Sequence, residues 1–264
     1  MGELHDELLE LALAVAREAG ELVRARREIG VRVSATKSSA TDMVTEADRA
    51  SEELIVERIL AARPDDGLLG EEGSDTAGTS GVRWVVDPID GTVNYFLGLP
   101  QYAVSIGAEV DGVVQVGVVV NAATGDEFSA VRGRGATRNG RRIEVRPVRP
   151  LDRSVVSTGF NYELAIRRRQ AESVARMLVE VADIRRFGSC ALDLCALATG
   201  QSDGYVEEGC MPWDYAAGGL IAEEAGAVVQ LLRGASGRSL VVAAPGPAYE
   251  GFLGLVGSCG FLGE

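Results

Sequence analysis

Val85-Val86-Asp87-Pro88-Ile89-Asp90-Gly91-Thr92-Val93-Asn94-Tyr95, VVDPIDGTVNY, ends an apolar run on two aspartates three positions apart around a proline. A carboxylate at the end of a buried strand is costly unless something positive compensates it. Aspartate followed by proline favours a type I turn over residues 87–90, which brings its ends within roughly 7 Å. Both carboxylates then face one volume, and the Ile89 carbonyl, released from the strand ladder, offers a third hard oxygen. Gly91 and Thr92 enter a predicted short helix, where their N–H groups are free to bind an anion. Cation ligands beside anion donors are what metal-assisted phosphoryl transfer requires. Taken alone, the tetrapeptide reads equally well as an Asp-Pro turn in which Asp90 caps a helix.

Two further acids decide between these readings. LLGEEG sets Glu71 and Glu72 directly after an apolar strand, and MPWDYAAGG sets Asp214 between Trp213 and an apolar helix. Glu71 could be a solvated turn residue and Asp214 an N-cap, but one shared site accounts for all three segments at once. Elimination points the same way. His5 is the only histidine and falls in the first turn of a predicted helix, as a surface residue. Ser-His-Asp triads, histidine general catalysis and ordinary zinc hydrolase sites are therefore excluded. Cys190, Cys195, Cys210 and Cys259 show no C-x-x-C spacing and read as reduced core thiols. The chemistry must use carboxylates, hydroxyls, backbone or metal.

The 264 residues are 46% hydrophobic and 25% charged, as in a folded soluble enzyme. With 26 basic and 39 acidic side chains the formal net charge is −13, which argues against direct nucleic-acid binding. That charge opposes an anionic substrate unless bound cations reverse it locally. No apolar run approaches the roughly 18 residues of a membrane span, and the acidic N-terminal segment does not read as a signal peptide. The expected location is cytoplasmic.

Leu4, Leu8, Leu11, Val15 and Leu22 recur at helical spacing, predicting an amphipathic helix that ends near Gly30. Thr45 is the predicted N-cap of a second helix, stopped by Pro64. Hairpins are expected at Asp111-Gly112 and Asn139-Gly140. RGRGATRNG lies in the second of these and lacks the third glycine of a dinucleotide loop. Pro147 and Pro150 bracket a linker, after which strands and helices alternate, including a long helix through Val181 and a last helix after Pro247. Hairpins first and α/β alternation second predict an α+β and α/β fold, with sub-domains 1–148 and 149–264 sharing one stack of sheets and helices.

GEE, WVVDPIDGTVNY and WDYAAGG, in this order and at these separations, resemble the signature of the inositol monophosphatase family of magnesium-dependent, lithium-sensitive phosphatases. The likeness extends to VTEAD before the second helix and GSCALDLCALATGQSDGYVE before Asp214. It implies a layered αβαβα sandwich of the sugar-phosphatase type and two to three Mg²⁺ ions. Glu71, Asp87 and the Ile89 carbonyl would bind the first ion, and Asp87, Asp90 and Asp214 the second. Glu71 would also help hold a third ion and the attacking water, which Thr92 paired with Asp48 would help to deprotonate. The Gly91 and Thr92 amides, beside Asp90, would cradle the phosphate. Lys37, the only lysine, falls in a loop that closes on the site in relatives.

For the substrate, Glu207 matches the family position that contacts inositol hydroxyls, and the turn Gly188-Ser189-Cys190 matches the opposite wall. Many relatives carry alanine where Cys190 stands. The resemblance implies a phosphate monoester, inositol 1-phosphate foremost. Related branches hydrolyse fructose 1,6-bisphosphate, histidinol phosphate or adenosine 3′,5′-bisphosphate. Arg167, Arg168 and Arg169 could serve a second phosphate, although a solvated helix face explains them more simply. The family is usually dimeric, so a homodimer is expected. Some bacterial relatives also act as binding partners in transcription antitermination. A carboxylate-pair glycosidase, the remaining alternative, would need two acids about 5 to 9.5 Å apart without tight metals.

Overall fold

The computed structural model describes residues 2–31, 33–36 and 43–263; Lys37 lies outside them. The first half comprises α1 (Gly2–Ile29), β1 (Val33–Thr36), β2 (Met43–Thr45), α2 (Glu46–Ala62), β3 (Gly67–Gly70), β4 (Asp75–Thr76), β5 (Val82–Asp90), α3 (Thr92–Leu97), β6 (Ala103–Val110), β7 (Val113–Asn121), β8 (Glu127–Val131), β9 (Gly135–Arg138) and β10 (Arg141–Ile143). The second comprises β11 (Val155–Thr158), α4 (Leu164–Leu178), β12 (Asp183–Arg185), α5 (Cys190–Ala198), β13 (Gly204–Glu208), α6 (Pro212–Glu224), β14 (Ala227–Arg233), β15 (Ser239–Pro245) and α7 (Tyr249–Ser258).

Both predicted hairpins form for a local reason: Asp111 and Gly112, and again Asn139 and Gly140, all have positive φ, as a two-residue type I′ turn demands. β3 to β10 build one sheet in the order β10-β9-β8-β7-β6-β5-β3-β4, and β11 to β15 build another in the order β12-β11-β13-β15-β14. The packing between them gives five layers. On the outer face of the large sheet, Leu8, Ala12, Val15, Ala19 and Val23 of α1 and Ile55 and Ile59 of α2 join Trp84, Ile106 and Val118 in one core.

Every residue of α5 is buried, Asp193 included; the other eight are apolar, as expected of a helix enclosed on all sides. With α6 it fills the space between the sheets. Leu192, Leu220 and Ile221 meet Val119 and Phe128 on one side, while Leu194, Leu197 and Ala222 meet Tyr205 and Val241 on the other. Met177 of α4 and Tyr249, Phe252 and Val256 of α7 close the far face of the small sheet over Val156, Val206 and Val242. The result is the αβαβα sandwich that the resemblance implies. At Gly117 a Cβ would lie 2.7 Å from the Ala217 carbonyl oxygen, so α6 sits directly on β7.

Two expectations need correction. α4 ends at Leu178 rather than Val181, because a turn from Glu180 N–H to the Met177 carbonyl ends the helix. The Asp87-Pro88-Ile89-Asp90 segment is not a type I turn but the end of β5. Asp87 faces Ser105 and Asp90 faces Ala103 on β6, so three steps along one strand oppose two along the other. This is a bulge, a place where proline is tolerated in a ladder. The Ile89 N–H is satisfied by the Asp87 carboxylate at 3.0 Å.

Candidate active site

The bulge sends the chain into a cavity of about 300 Å³ between the two halves. β3 lies parallel to β5 with Gly70 opposite Val86, so Glu71 leaves its strand beside Asp87. The Glu71 N–H donates to the Val86 carbonyl at 3.2 Å, and its side chain is within hydrogen-bonding reach of Asp87. α6 brings the remaining acid from the other half of the chain. Pro212 starts that helix, and the Asp214 carboxylate accepts the Met211 N–H at 2.6 Å. The Ser105 hydroxyl donates to the Trp213 carbonyl at 3.3 Å and ties the helix start to β6. Asp214 therefore braces its helix and lines the cavity too, together with Glu71, Asp87, Ile89 and Asp90.

Asp90 is held from α5. Its Oδ2 accepts the Ser189 hydroxyl at 2.6 Å and the Ala191 N–H at 2.7 Å. Ser189 caps α5 and stands behind Asp90 at 1% exposure. It is absent from the cavity lining, which Gly188 and Cys190 reach. Glu207, at the end of β13, also lines the cavity and accepts the Tyr205 hydroxyl at 2.8 Å. Gly91 and Thr92 lie at the cavity edge, and the Thr92 hydroxyl is 3.0 Å from both Asp48 Oδ1 and the Ile89 carbonyl oxygen. A hydroxyl has one proton, so these are alternatives. When Thr92 donates to Asp48, the Ile89 carbonyl is left for another partner. Asp48 also accepts the Thr45 N–H at 2.7 Å and the Thr45 hydroxyl, within the capping box of α2.

Burial dominates the electrostatics. It pushes the Asp87 carboxyl well above the usual range, with Glu71, Asp90 and Asp214 adding to the push. Asp214 is raised by burial, then by Asp90 and Glu71. Asp90 stands at about 7, because burial outweighs its bonds to Ser189 and Ala191. Burial likewise lifts Asp48 to about 6 against the bonds from Thr45. Among the described residues no arginine pairs with Asp87, Asp90 or Asp214.

The donors are all oxygens, carboxylates plus one backbone carbonyl, the set a hard divalent cation takes. Among the described residues no three or more histidine, cysteine or acidic side chains are grouped so that they could hold a metal ion by themselves. Mg²⁺ does not require such a group, since it keeps several waters and shares its ligands with substrate phosphates.

Sequence reasoning missed several participants. Arg186 is exposed on the cavity wall, the one cationic side chain there among the described residues. Nothing in the DIRRF segment distinguishes it from an edge-strand charge. Arg167 and Arg169 do not line the cavity; they donate to the Tyr162 and Ala235 carbonyls. Asn94 is buried and donates to the Gln101 and Phe187 carbonyls at 2.8 and 2.7 Å, joining the DPIDGT segment to the second half. Buried Glu52 accepts from Glu72 N–H and from both Ser74 N–H and its hydroxyl, fixing the turn after Glu71. An amide inside the quoted motif and an acid on the buried face of α2 were the signals available.

Comparison with known proteins agrees with this architecture. A relative named Inositol-1-monophosphatase SuhB, from Mycobacterium tuberculosis, is 43% identical, covering 92% of this chain and 91% of its own. A Nus factor SuhB from Vibrio cholerae is 40% identical, covering 84% of each. The crystal structure of extragenic suppressor protein suhB from Bartonella henselae superposes with a TM-score of 0.86 at 34% identity, covering 95% of this chain and 98% of the other. The profile of the inositol monophosphatase family matches residues 4–258, and the chain belongs to that family.

Proposed function

We propose that the chain hydrolyses phosphate monoesters in a Mg²⁺-dependent reaction, with inositol 1-phosphate the foremost substrate. The observation that carries this reading is the gathering of Asp87, Asp90 and Asp214 in one cavity without a basic partner among the described residues. Glu71, Asp87, Asp90, Asp214 and the Ile89 carbonyl would hold two to three Mg²⁺. When bound, these ions would supply the positive charge that neutralises an ester phosphate and acidifies water.

The chain's own residues do the rest. Asp48 accepts the Thr92 proton, leaving the Thr92 Oγ1 lone pairs to take a proton from the attacking water. The Gly91 and Thr92 amides orient the phosphate at the start of α3. Across the cavity Glu207, Gly188 and Cys190 form the wall for the alcohol part. Its volume is at the small end for ligand pockets, which suits a single ring. Lithium inhibition, a homodimer and a cytoplasmic location belong to the same reading.

Phosphate release should be measured over inositol 1-phosphate, glycerol 2-phosphate, fructose 1,6-bisphosphate, histidinol phosphate and adenosine 3′,5′-bisphosphate, with and without Mg²⁺. Arg186 gives the bisphosphates their place in the panel, because a cation on the wall favours a second anionic group. Release from none of them would overturn the proposal.

The name of the Vibrio cholerae relative, a Nus factor, favours a second reading, as an interaction protein of transcription antitermination. The net charge of −13 favours protein over direct RNA contact there. Retention of transcription proteins by an Asp214→Ala variant, with the cellular phenotype intact, would select that role. Loss of the phenotype would select catalysis.

A further inference from the structure

β11 and β13 run parallel in the small sheet, with Ser157 opposite Tyr205 and Thr158 opposite Val206. The Thr158 hydroxyl donates to the Val206 carbonyl at 2.7 Å at the end of the paired stretch. The next residues along the two strands are Gly159 and Glu207. Side chains alternate along a strand, so Tyr205 and Glu207 share a face, and the Tyr205 hydroxyl reaches Glu207 Oε2 at 2.8 Å. Gly159 is buried and does not line the cavity, whereas Glu207 does.

A Cβ on Gly159 would lie 1.9 Å from Glu207 Oε2, 2.0 Å from its Cδ and 2.2 Å from Oε1. The carboxylate therefore occupies the space that any other side chain at 159 would take. Backbone conformation does not demand the glycine, since Gly159 is not one of the residues with positive φ. Glu52 lies over Gly70 and Glu208 over Gly234 in the same way, but those carboxylates accept backbone N–H groups of adjoining turns. Glu207 faces the cavity instead. A carboxylate has about four lone-pair sites and Tyr205 takes one, so others can accept a substrate hydroxyl.

We propose that Gly159 is a specificity-determining position for the hydrolysis proposed above, the reading on which this inference rests. By ceding its side-chain space to the Glu207 carboxylate, Gly159 keeps that group back against the sheet and leaves the wall open to a hydroxylated ring. An ordinary contact starts at 3.4 Å, so a methyl at 159 would displace Glu207 Oε2 by about 1.5 Å. That breaks the bond to Tyr205 and moves the carboxylate away from the end of β11, toward the cavity. Gly159 touches no substrate; it is a positioning residue that acts through Glu207.

The test is Gly159→Ala in the full-length protein with Mg²⁺, read with inositol 1-phosphate and with the smaller glycerol 2-phosphate. KM for inositol 1-phosphate should rise about tenfold or more, the loss expected when a hydrogen bond to a charged group is removed. kcat/KM for glycerol 2-phosphate should fall much less, so the preference for the ring narrows. The half-saturating Mg²⁺ concentration should stay where it is, because the metal-binding acids are untouched. In a Glu207→Ala background the same substitution should narrow the preference no further, since the group it displaces is gone.

An equal preference in Gly159→Ala and the parent, or a second full loss in the Glu207→Ala background, overturns the proposal. If Gly159→Ala alone does not fold, adding Glu207→Ala should restore folding, and failure to do so overturns it as well. A crystal structure of Gly159→Ala should show the Glu207 carboxylate beyond hydrogen-bonding distance of the Tyr205 hydroxyl; an unmoved carboxylate contradicts the proposal whatever the activity. If the parent releases phosphate from neither ester, the proposed function fails, and the crystal structure still decides whether Gly159 positions Glu207.

Discussion

Asp87 sits where three other acids converge, with Glu71 in reach and Asp90 and Asp214 raising its carboxyl. Asp87→Asn keeps the shape and removes the charge. It should lower kcat/KM by on the order of 100-fold or more, about 3 kcal/mol of transition-state stabilisation, even at saturating Mg²⁺. Near-normal turnover in that variant would contradict the site. In the proposed mechanism Thr92 and Asp48 act as one unit through their 3.0 Å contact, so Thr92→Val with Asp48→Asn should be little worse than the poorer single variant. Additive losses in steady-state kinetics would separate them. The acids were legible in the sequence because each interrupts an apolar run, where a charge needs a reason. Arg186 was not, since its significance lies only in which cavity it borders. Ser189 was read as a wall residue, but its hydroxyl is spent on Asp90.

At the scale of elements, the site depends on two helices held between sheets. α6 approaches β7 so closely that Gly117→Ala would drive a methyl into the Ala217 backbone. The expected cost is about 1–3 kcal/mol, seen as a lower Tm, with a higher Mg²⁺ requirement because the displaced helix carries Asp214. An unchanged Tm would contradict the close packing. Ser189→Ala removes the cap of α5 and one of the bonds to Asp90. A loss of about 1 kcal/mol is expected from denaturant unfolding. Helices, caps and hairpin turns could be read locally, because Thr45, Asp111-Gly112 and Asn139-Gly140 carry their own geometry. The end of β5 could not. Residues 87–90 favour a turn in isolation, and pairing with β6, more than ten positions away, holds them as a bulged strand.

For the whole molecule, two halves that each build a sheet meet at a cavity crowded with like charge. The change from hairpins to alternation was legible in the residues, whereas the layer order came only through the family resemblance, because α5 and α6 bury apolar residues toward both sheets and their sequence names neither. Raised carboxyl pKa values in the fold mean that the native protein binds more protons than the unfolded chain. For Asp48 and Asp90 the resulting stabilisation is complete below about 4 and is lost as pH rises through about 6 and about 7. Without divalent ions, Tm should therefore decline between pH 5 and pH 8. Mg²⁺, which competes with protons for the same oxygens, should raise Tm more at the higher pH. Equal shifts at both values would argue that the ion binds elsewhere. The most direct test is the Mg²⁺ dependence of phosphate release from inositol 1-phosphate, starting from chelator-treated protein. Release is predicted to be absent in chelator and to rise saturably as Mg²⁺ is restored; release that ignores the chelator, or never appears at any Mg²⁺ concentration, would contradict it.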